Sequence, residues 1–509
     1  MAGKNKQQAI RGTSGALTKR PPVVAVLGHI DHGKSTLLDY IRKTNIVDGE
    51  AGGITQRISA YEVERTKDGK TERMTFIDTP GHEAFAGMRE RGATTADVAV
   101  LVVSAEDGVK PQTLDAYREI EKAKVPFVVA LNKIDKPAAN VERCKVSLAE
   151  AGIYLEGYGG SVSYVPVSAK TGAGIDELLD MILLTAEIGD LKGDPSRLGE
   201  GAIIEAHRDP KKGISATLII KDGSIGPGMF IASGSAYSPT RILENHAGKK
   251  IAEASFSSPV RVVGWNKAPQ IGSRFVTFDS KRGVEEYVEE ALVRERAPAG
   301  SAPTEAEAKK VIPVIIKADV TGSVEAIEHE LRKIKSERVA VKVILASIGD
   351  ITESDVKVAG GNKEAVILGF NVKIDSQAAA MIERLGIETA TFDIIYKLAE
   401  WLEAKVAERT PKVEVEEVMG KAKILKFFSR TKDKQIIGGK VTDREIAIGH
   451  KVKIYRRETV IGDGLIRELQ QAKVKTGSVA EGFEFGAMIE AKIELAPGDV
   501  IEDFTVVEK

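Results

Sequence analysis

Between Pro21 and about Gly189, five apolar runs recur: VVAVLG, TFID, DVAVLVVS, PFVVALNK and YVPVS. Helix-patterned stretches such as STLLDYIRK, QTLDAYREIEKAK and IDELLDMILLTAEI lie among them. The runs are dense in Val, Ile and Leu and do not alternate strictly with polar residues, so each strand must be covered on both faces. Strands of that kind, separated by helices, form a parallel sheet wrapped by helices, a doubly wound α/β domain. Such sheets hold their ligands at the carboxyl ends of the strands. The residues that follow each run therefore carry the chemistry.

After the first run stand Gly28-His29-Ile30-Asp31-His32-Gly33-Lys34-Ser35, which fit G-x-x-x-x-G-K-[ST] between a strand and a helix. The glycines let the backbone turn so that amide N–H groups converge on phosphate oxygens, and the helix N-terminus adds its positive dipole end. In this cradle Lys34 reaches the β- and γ-phosphates and Ser35 ligates Mg²⁺. His29 and His32 contribute their backbone and are assigned no acid–base role. Asp78-Thr79-Pro80-Gly81 follows TFI, where the aspartate can hold Mg²⁺ through water and the Gly81 amide can sense a γ-phosphate. Upstream, Gly52-Gly53-Ile54-Thr55 lies in a polar loop, and Thr55 is expected to close on Mg²⁺ only while the γ-phosphate is present.

Asn132-Lys133-Ile134-Asp135 ends the fourth run and selects the base. The Asp135 carboxylate accepts from the N1–H and exocyclic amine of guanine, while Asn132 is expected to meet the O6 and N7 edge. Adenine offers no such donor pair. Ser168-Ala169-Lys170 ends the fifth run, where backbone amides reach O6 and Lys170 supports the loop. Five motifs in order, each at the mouth of a strand, predict a GTP-binding (G) domain over 21–190. Transfer of a phosphoryl group to water needs an in-line water, Mg²⁺ and charge neutralisation. His82, beside Gly81, is the residue placed to orient that water.

Beyond the G domain the texture changes. Short strands and turns, KDGSIGPG the clearest, predict a small antiparallel β-barrel over 197–283. The small, polar stretch 297–310 reads as a linker that separates two halves. A compact α/β domain is expected over 311–392. Ile394, Ile395, Leu398, Trp401, Leu402 and Val406 then form one stripe of a helix over 393–410, which is either a core helix or a spacer linking the third domain to the last. Strand-and-turn texture over 412–509 predicts a second β-barrel. There Lys421–Arg457 holds twelve Lys or Arg against three acidic residues, around Phe427 and Phe428. Cations neutralise phosphates and an exposed aromatic stacks on an unpaired base, so this end is the candidate RNA-binding face. One of the two Phe is expected in the core and the other outside.

Composition bounds the setting. Seventy-three Lys plus Arg against 74 Asp plus Glu leave a formal charge of −1, so a hold on nucleic acid must be local. The single cysteine, Cys144, excludes an intramolecular disulfide and fits a reducing, cytoplasmic setting. No apolar run approaches a membrane span, so no membrane association is expected. Residues 1–20 carry five cations and no acid, which reads as an arm on RNA, a short transit peptide or a flexible basic tail. No dimer seam is visible, and a monomer is expected.

GHIDHGKS, EAGGIT, DTPGHEAF, NKID and SAK together resemble the translational GTPases, most closely the bacterial initiation factor 2 family. The resemblance covers about residues 21–509, including the order of barrel, α/β domain, long helix and final barrel. It implies a GTPase cycling between GTP and GDP with Mg²⁺, which guides formylmethionyl initiator tRNA to the small ribosomal subunit and promotes subunit joining. The ribosome's two subunits, initiator tRNA and other initiation factors are the partners implied. It also implies that His82 swings into place only when the large subunit joins. In that family the final barrel holds the acceptor end of the tRNA, and Glu484 and Gly486 match its pattern. Phe485, Gly438-Gly439 and Ile448 depart from it. With Phe427, Phe428, Arg430, Lys451, Lys453 and Arg456, the Glu484-Phe485-Gly486 stretch makes up the expected tRNA contact. Many members carry a long amino-terminal region that is not in this sequence, so its ribosome contacts are not expected. The alternatives are a special elongation factor or a ribosome scaffold that GTP stabilises without turnover.

Overall fold

The computed structural model describes residues 17–44, 55–67, 69–295, 310–334, 336, 338–410 and 414–508. Two compact units divide the chain at Arg409/Thr410.

In the first unit, the five apolar runs form the parallel core of a six-stranded sheet. The order is Ser59–Lys67, Lys70–Asp78, Val23–Gly28, Val98–Ser104, Phe127–Asn132 and Tyr164–Pro166, with only the edge strand Ser59–Lys67 antiparallel. Every residue of Val23–Gly28 and Val98–Ser104 is buried, as unalternating runs require. Helices cover both faces. Leu37, Leu38, Leu178 and Ile182 pack on one, and Ala116, Ile120 and Leu148 on the other.

Eight antiparallel strands follow within 200–278, curled around Ile203, Leu218, Val260, Trp265 and Phe275. A helix, Lys281–Glu295, comes after them. Beyond it a four-stranded parallel sheet runs in the order Val339–Ile348, Lys310–Ala318, Val366–Phe370, Glu388–Phe392.

Two expectations are corrected here. Residues 297–310 do not divide the molecule into halves, because one apolar core joins all three domains before Arg409. Val23, Ile77, Phe85 and Met88 meet Ile204 and Ile219 of the second domain and Val314, Ile327 and Phe370 of the third. Of that stretch only Lys310, the first residue of a strand, is among the described residues. The basic tail likewise does not run free to residue 20. Thr18–Lys19 pairs with Lys192–Gly193, and Arg20 is clamped on Asp97 at 2.6 and 2.8 Å while Lys221 of the second domain reaches the same carboxylate at 2.7 Å. The helix Ile395–Arg409 buries Ile395, Leu398, Leu402 and Val406 in the shared core, so its apolar stripe serves packing.

The second unit is a closed barrel. Glu414–Thr431, Val500–Glu508, Lys451–Arg456, Thr459–Gln471, Glu484–Ala491 and Lys434–Ala447 pair in that order, and the last strand returns to the first. Closure removes the exposed edges. Inside are Ile424, Ile437, Val452, Ile466, Phe485 and Ile489.

Gly439 explains how Phe485 fits. A Cβ there would lie 2.7 Å from the Phe485 ring and 2.6 Å from the Lys423 carbonyl, so the small residue and the large one form a matched pair. Gly439→Ala is expected to overpack this barrel at a cost of about 1–3 kcal/mol. Hydrogen exchange of the amides in 434–441 should then quicken about tenfold or more, and unchanged protection would contradict the pairing.

Candidate functional site

The sharp exit from Val23–Gly28 requires glycine. Gly28 has φ +146°, and a Cβ would stand 2.4 Å from the Val102 carbonyl of the adjacent strand. A single 3₁₀ turn, Ile30–His32, follows, and then Gly33 at φ +83° opens the helix Lys34–Arg42. The Lys34 ammonium folds back over the loop, donating to the Gly28 carbonyl at 2.9 Å and the His29 carbonyl at 2.8 Å. Burial lowers its pKa to about 8, and the nearby Asp78 carboxylate opposes that shift. His32 is buried, faces the Val102 carbonyl at 3.3 Å, and is pushed down to about 3 by burial. Burial also lowers His29. Both imidazoles are neutral at pH 7, and their ring centroids stand 4.9 Å apart.

Asp78, at the end of Lys70–Asp78, lines one cavity of about 480 Å³ with Ser35 and Thr55. The Ser35 and Thr55 hydroxyls are 2.7 Å apart. Neighbouring ligands of an octahedral ion with bonds of ~2.1 Å stand about 2.9 Å apart, so these hard oxygen donors fit Mg²⁺. Gly52, Gly53 and Ile54 lie outside the described residues. Gly81 presses on the phosphate loop, since a Cβ there would meet the Lys34 ammonium at 2.6 Å and Ile30 Cα at 2.8 Å. Thr79 is fully buried and donates to the Val26 carbonyl at 2.7 Å, tying this turn to the central strand.

His82 begins the short turn Glu83–Phe85, and its Nδ1 accepts from the Ala84 amide at 3.1 Å. Burial lowers its pKa, so the ring is neutral and carries its proton on Nε2. Glu330 and Lys333 of the third domain, with Glu83 and Arg89, are the charges beside it.

Asn132 ties two of the loops together. Its amide donates to the His32 carbonyl at 2.8 Å, and its Oδ1 accepts from the Ala169 amide at 3.0 Å. The carboxamide thus laces the phosphate loop to Ser168-Ala169-Lys170. Gly33 permits this contact, because a Cβ there would stand 2.5 Å from the Asn132 nitrogen. Asp135 does face solvent. Its carboxylate accepts from the Ser168 hydroxyl at 2.6 Å, and that bond, with Lys170 and Lys136 nearby, keeps it ionised. Ile134 and Lys133 form the bend between, the latter at φ +67°.

In the barrel the expected tRNA residues fall into separate groups. Phe427 packs on the core, and Phe428, at a β-bulge, is 58% exposed with the Lys426 ammonium 5.7 Å from its ring centroid. Phe428, Gly438, Glu484, Phe485, Gly486 and Met488 line a pocket of about 540 Å³, floored by the nearly buried Phe485. Lys451 and Lys453 lie in a different groove, of about 1300 Å³. Arg456 is committed to Asp499 at 2.8 Å, and Arg430 donates to the Lys432 and Lys492 carbonyls. The expected contact residues thus line two grooves of the barrel, with Arg430 and Arg456 engaged on the protein. Ile448 is not among the residues that line the Phe428 pocket.

Sequence reasoning missed two residues that hold the site. Gln56 donates to the Asp393 carbonyl at 2.8 Å and accepts from the Ile395 amide at 3.2 Å, so the residue after Thr55 caps the last helix of the unit. Arg89, only 1% exposed, grips the turn that carries His82. Position next to Thr55 was the one available signal for Gln56. Nothing local marks Arg89.

Comparison with known proteins places matching families along the chain. The Elongation factor Tu GTP binding domain family matches residues 19–187, Elongation factor G domain 2 matches 199–278, and Translation-initiation factor 2 matches 294–403. The chain is 43% identical over 504 residues to translation initiation factor IF-2 of Nitratiruptor sp., covering 97% of this chain and 59% of that protein. It is 40% identical over 502 residues to the IF-2 of Rubrobacter xylanophilus, covering 97% and 72%. The chain thus spans about half to three-quarters of the length of such relatives. The crystal structure of GDP-bound aIF5B from Aeropyrum pernix aligns with 96% of this chain and 92% of its own, at 27% identity and a TM-score of 0.47. No helix among the described residues is long and apolar enough to cross a membrane.

Proposed function

Because this chain belongs to the translation initiation factor IF-2 family, we propose that it is a GTPase that guides initiator tRNA to the small ribosomal subunit, promotes subunit joining and hydrolyses GTP on the ribosome. The observation that carries the reading is the convergence of Lys34, Ser35, Thr55, Gly81 and Asp135 at the carboxyl ends of one parallel sheet.

The chain's own groups divide the work. Backbone amides of 28–35 and the Lys34 ammonium hold the β- and γ-phosphates. Lys34 must exchange its two carbonyl acceptors for phosphate oxygens, which raises its affinity for a proton and keeps it charged. Asp135 selects guanine by accepting from two donors that adenine lacks together. Ser35, Thr55 and Asp78 would hold Mg²⁺, which supplies charge neutralisation of the β- and γ-phosphate oxygens. His82 orients the attacking water, which adds in line to the γ-phosphorus as the bond to the bridging oxygen breaks. With Nδ1 accepting from Ala84, Nε2 can only donate, so the ring must leave that cap before it can accept from water. Free chain therefore hydrolyses GTP slowly, and a ribosome that pulls the ring out of the cap accelerates it.

The final barrel is the proposed tRNA end. Phe428 offers an exposed ring beside a pocket whose floor is apolar and whose rim carries Glu484 and Lys473, a shape for a terminal nucleotide bearing an aminoacyl group. Both ribosomal subunits and other initiation factors complete the proposed partners, the cytoplasm is the proposed compartment, and the chain acts as a monomer.

Binding of formylmethionyl initiator, methionyl initiator and elongator aminoacyl-tRNAs to the full chain at two salt concentrations tests this reading. A preference for the formylated initiator that persists at the higher salt is the expected result. Equal binding of all three with a steep salt dependence means that the barrel holds RNA by charge alone, and overturns initiator selection by this chain.

A further inference from the structure

A fully buried guanidinium is costly unless its donors are used. Arg89 stands on the helix Ala86–Thr95, seven residues after His82, and is among the largest fully buried side chains of the described residues. It donates to the Pro80 carbonyl at 3.3 Å, to the His82 carbonyl at 2.5 Å and, through Nε, to the Glu119 carboxylate at 3.2 Å. Glu119 comes from the packed helix Pro111–Ala123, and burial raises its pKa to about 7 against the pull of Arg89.

The two carbonyls belong to the peptides on either side of Gly81-His82. The Pro80 carbonyl and the Gly81 amide share one planar trans peptide, so they point in opposite directions. A guanidinium that holds the carbonyl thereby aims the N–H away from itself. Gly81 lies against Lys34 and Ile30 of the phosphate loop. The second bond fixes the main chain of His82 while leaving its ring free to rotate about χ1.

We propose that Arg89 is a positioning residue for hydrolysis: by clamping the Pro80 and His82 carbonyls it aims the Gly81 amide at the γ-phosphate and makes the His82 backbone a fixed pivot for its ring. This rests on the functional reading above, in which Gly81 senses the γ-phosphate. A hydrogen bond to a charged group contributes enough that losing the clamp should change affinity by about 10-fold or more. The loss should fall on the triphosphate, because a diphosphate has no group for Gly81 to meet. A role confined to packing would weaken both nucleotides alike, or neither.

The test uses the full chain with Arg89→Met, which keeps length and removes the donors, and Arg89→Lys, which restores one donor and the charge. Affinities for GDP and for the non-hydrolysable β,γ-imido analogue of GTP are measured with Mg²⁺, beside ribosome-stimulated turnover and a melting curve. The expected result is a fall of about tenfold in the ratio of triphosphate to diphosphate affinity for Arg89→Met. Arg89→Lys should lie between it and the parent, and turnover should follow the same order. A folded Arg89→Met with the parent's ratio overturns the proposal. If that variant does not fold, an unchanged ratio and turnover in Arg89→Lys overturns it in the same way. A parent chain that binds neither nucleotide refutes the functional reading itself, a result distinct from loss of selectivity in the variants.

Discussion

A chain carrying His82→Ala binds GTP as the parent does and turns it over on ribosomes about 10³-fold more slowly, the scale of a positioned group that guides proton transfer. The ring's Nδ1 accepts from the Ala84 amide and its edge meets Phe85, and the nucleotide's proposed contacts come from other groups, so removing it should leave them in place. What is lost is the one side chain next to Gly81 that can accept from water after rotating. Burial lowers the pKa of the imidazole, which keeps it able to accept at neutral pH. The variant also loses a cap on the Glu83–Phe85 turn, a local cost of about 1 kcal/mol that a melting curve reads separately. Single-turnover phosphate release with and without ribosomes is the measurement. Release at the parent's stimulated rate removes His82 from the mechanism.

Asp135→Asn should convert the base site from guanine to xanthine. The exposed carboxylate is held ionised by the Ser168 hydroxyl, so it presents two acceptor oxygens in a fixed plane. Guanine supplies two donors to that plane. An asparagine replaces one acceptor with a donor, which faces the exocyclic amine of guanine donor to donor and pairs with the carbonyl of xanthine. A site built on hydrogen bonds rejects the mismatched group strongly, and GTP affinity should fall about 10³-fold while xanthosine triphosphate gains by a similar factor. Titration of parent and variant with both nucleotides decides it, and equal curves contradict the assignment. Asn132 stays as it is in this variant, so the phosphate loop remains laced to residues 168–170 and the effect is confined to the base.

The strands and the turn of the phosphate loop were legible in the sequence because apolar density and the order of glycines are local signals. Unalternating Val, Ile and Leu demand burial on both faces, and Gly28 and Gly33 announce a backbone that no side chain tolerates. The bonds of Asn132 leave no local signal, because its partners, His32 and Ala169, lie 100 and 37 residues away in the chain. Its orientation is a matter of which strands become neighbours. The cationic cluster of the last barrel is contiguous in sequence and not in space. Alternation along the strands, the bulge at Phe428 and the ion pair of Arg456 with Asp499 disperse it.

The division at 297–310 failed for a related reason. A polar, proline-containing stretch marks where a chain need not pack, which does not prevent the segments on either side from packing against each other. Local chemistry, expressed in motif order and the period of apolar residues, determined that this chain has a GTP-binding-domain fold. Tertiary structure alone decided that three domains share one core, that Gln56 caps a helix of the third, that Arg89 is buried behind the His82 turn, and that Gly439 makes room for Phe485. Each of those depends on side chains that meet only after the chain has closed on itself, and such meetings leave no period in a sequence.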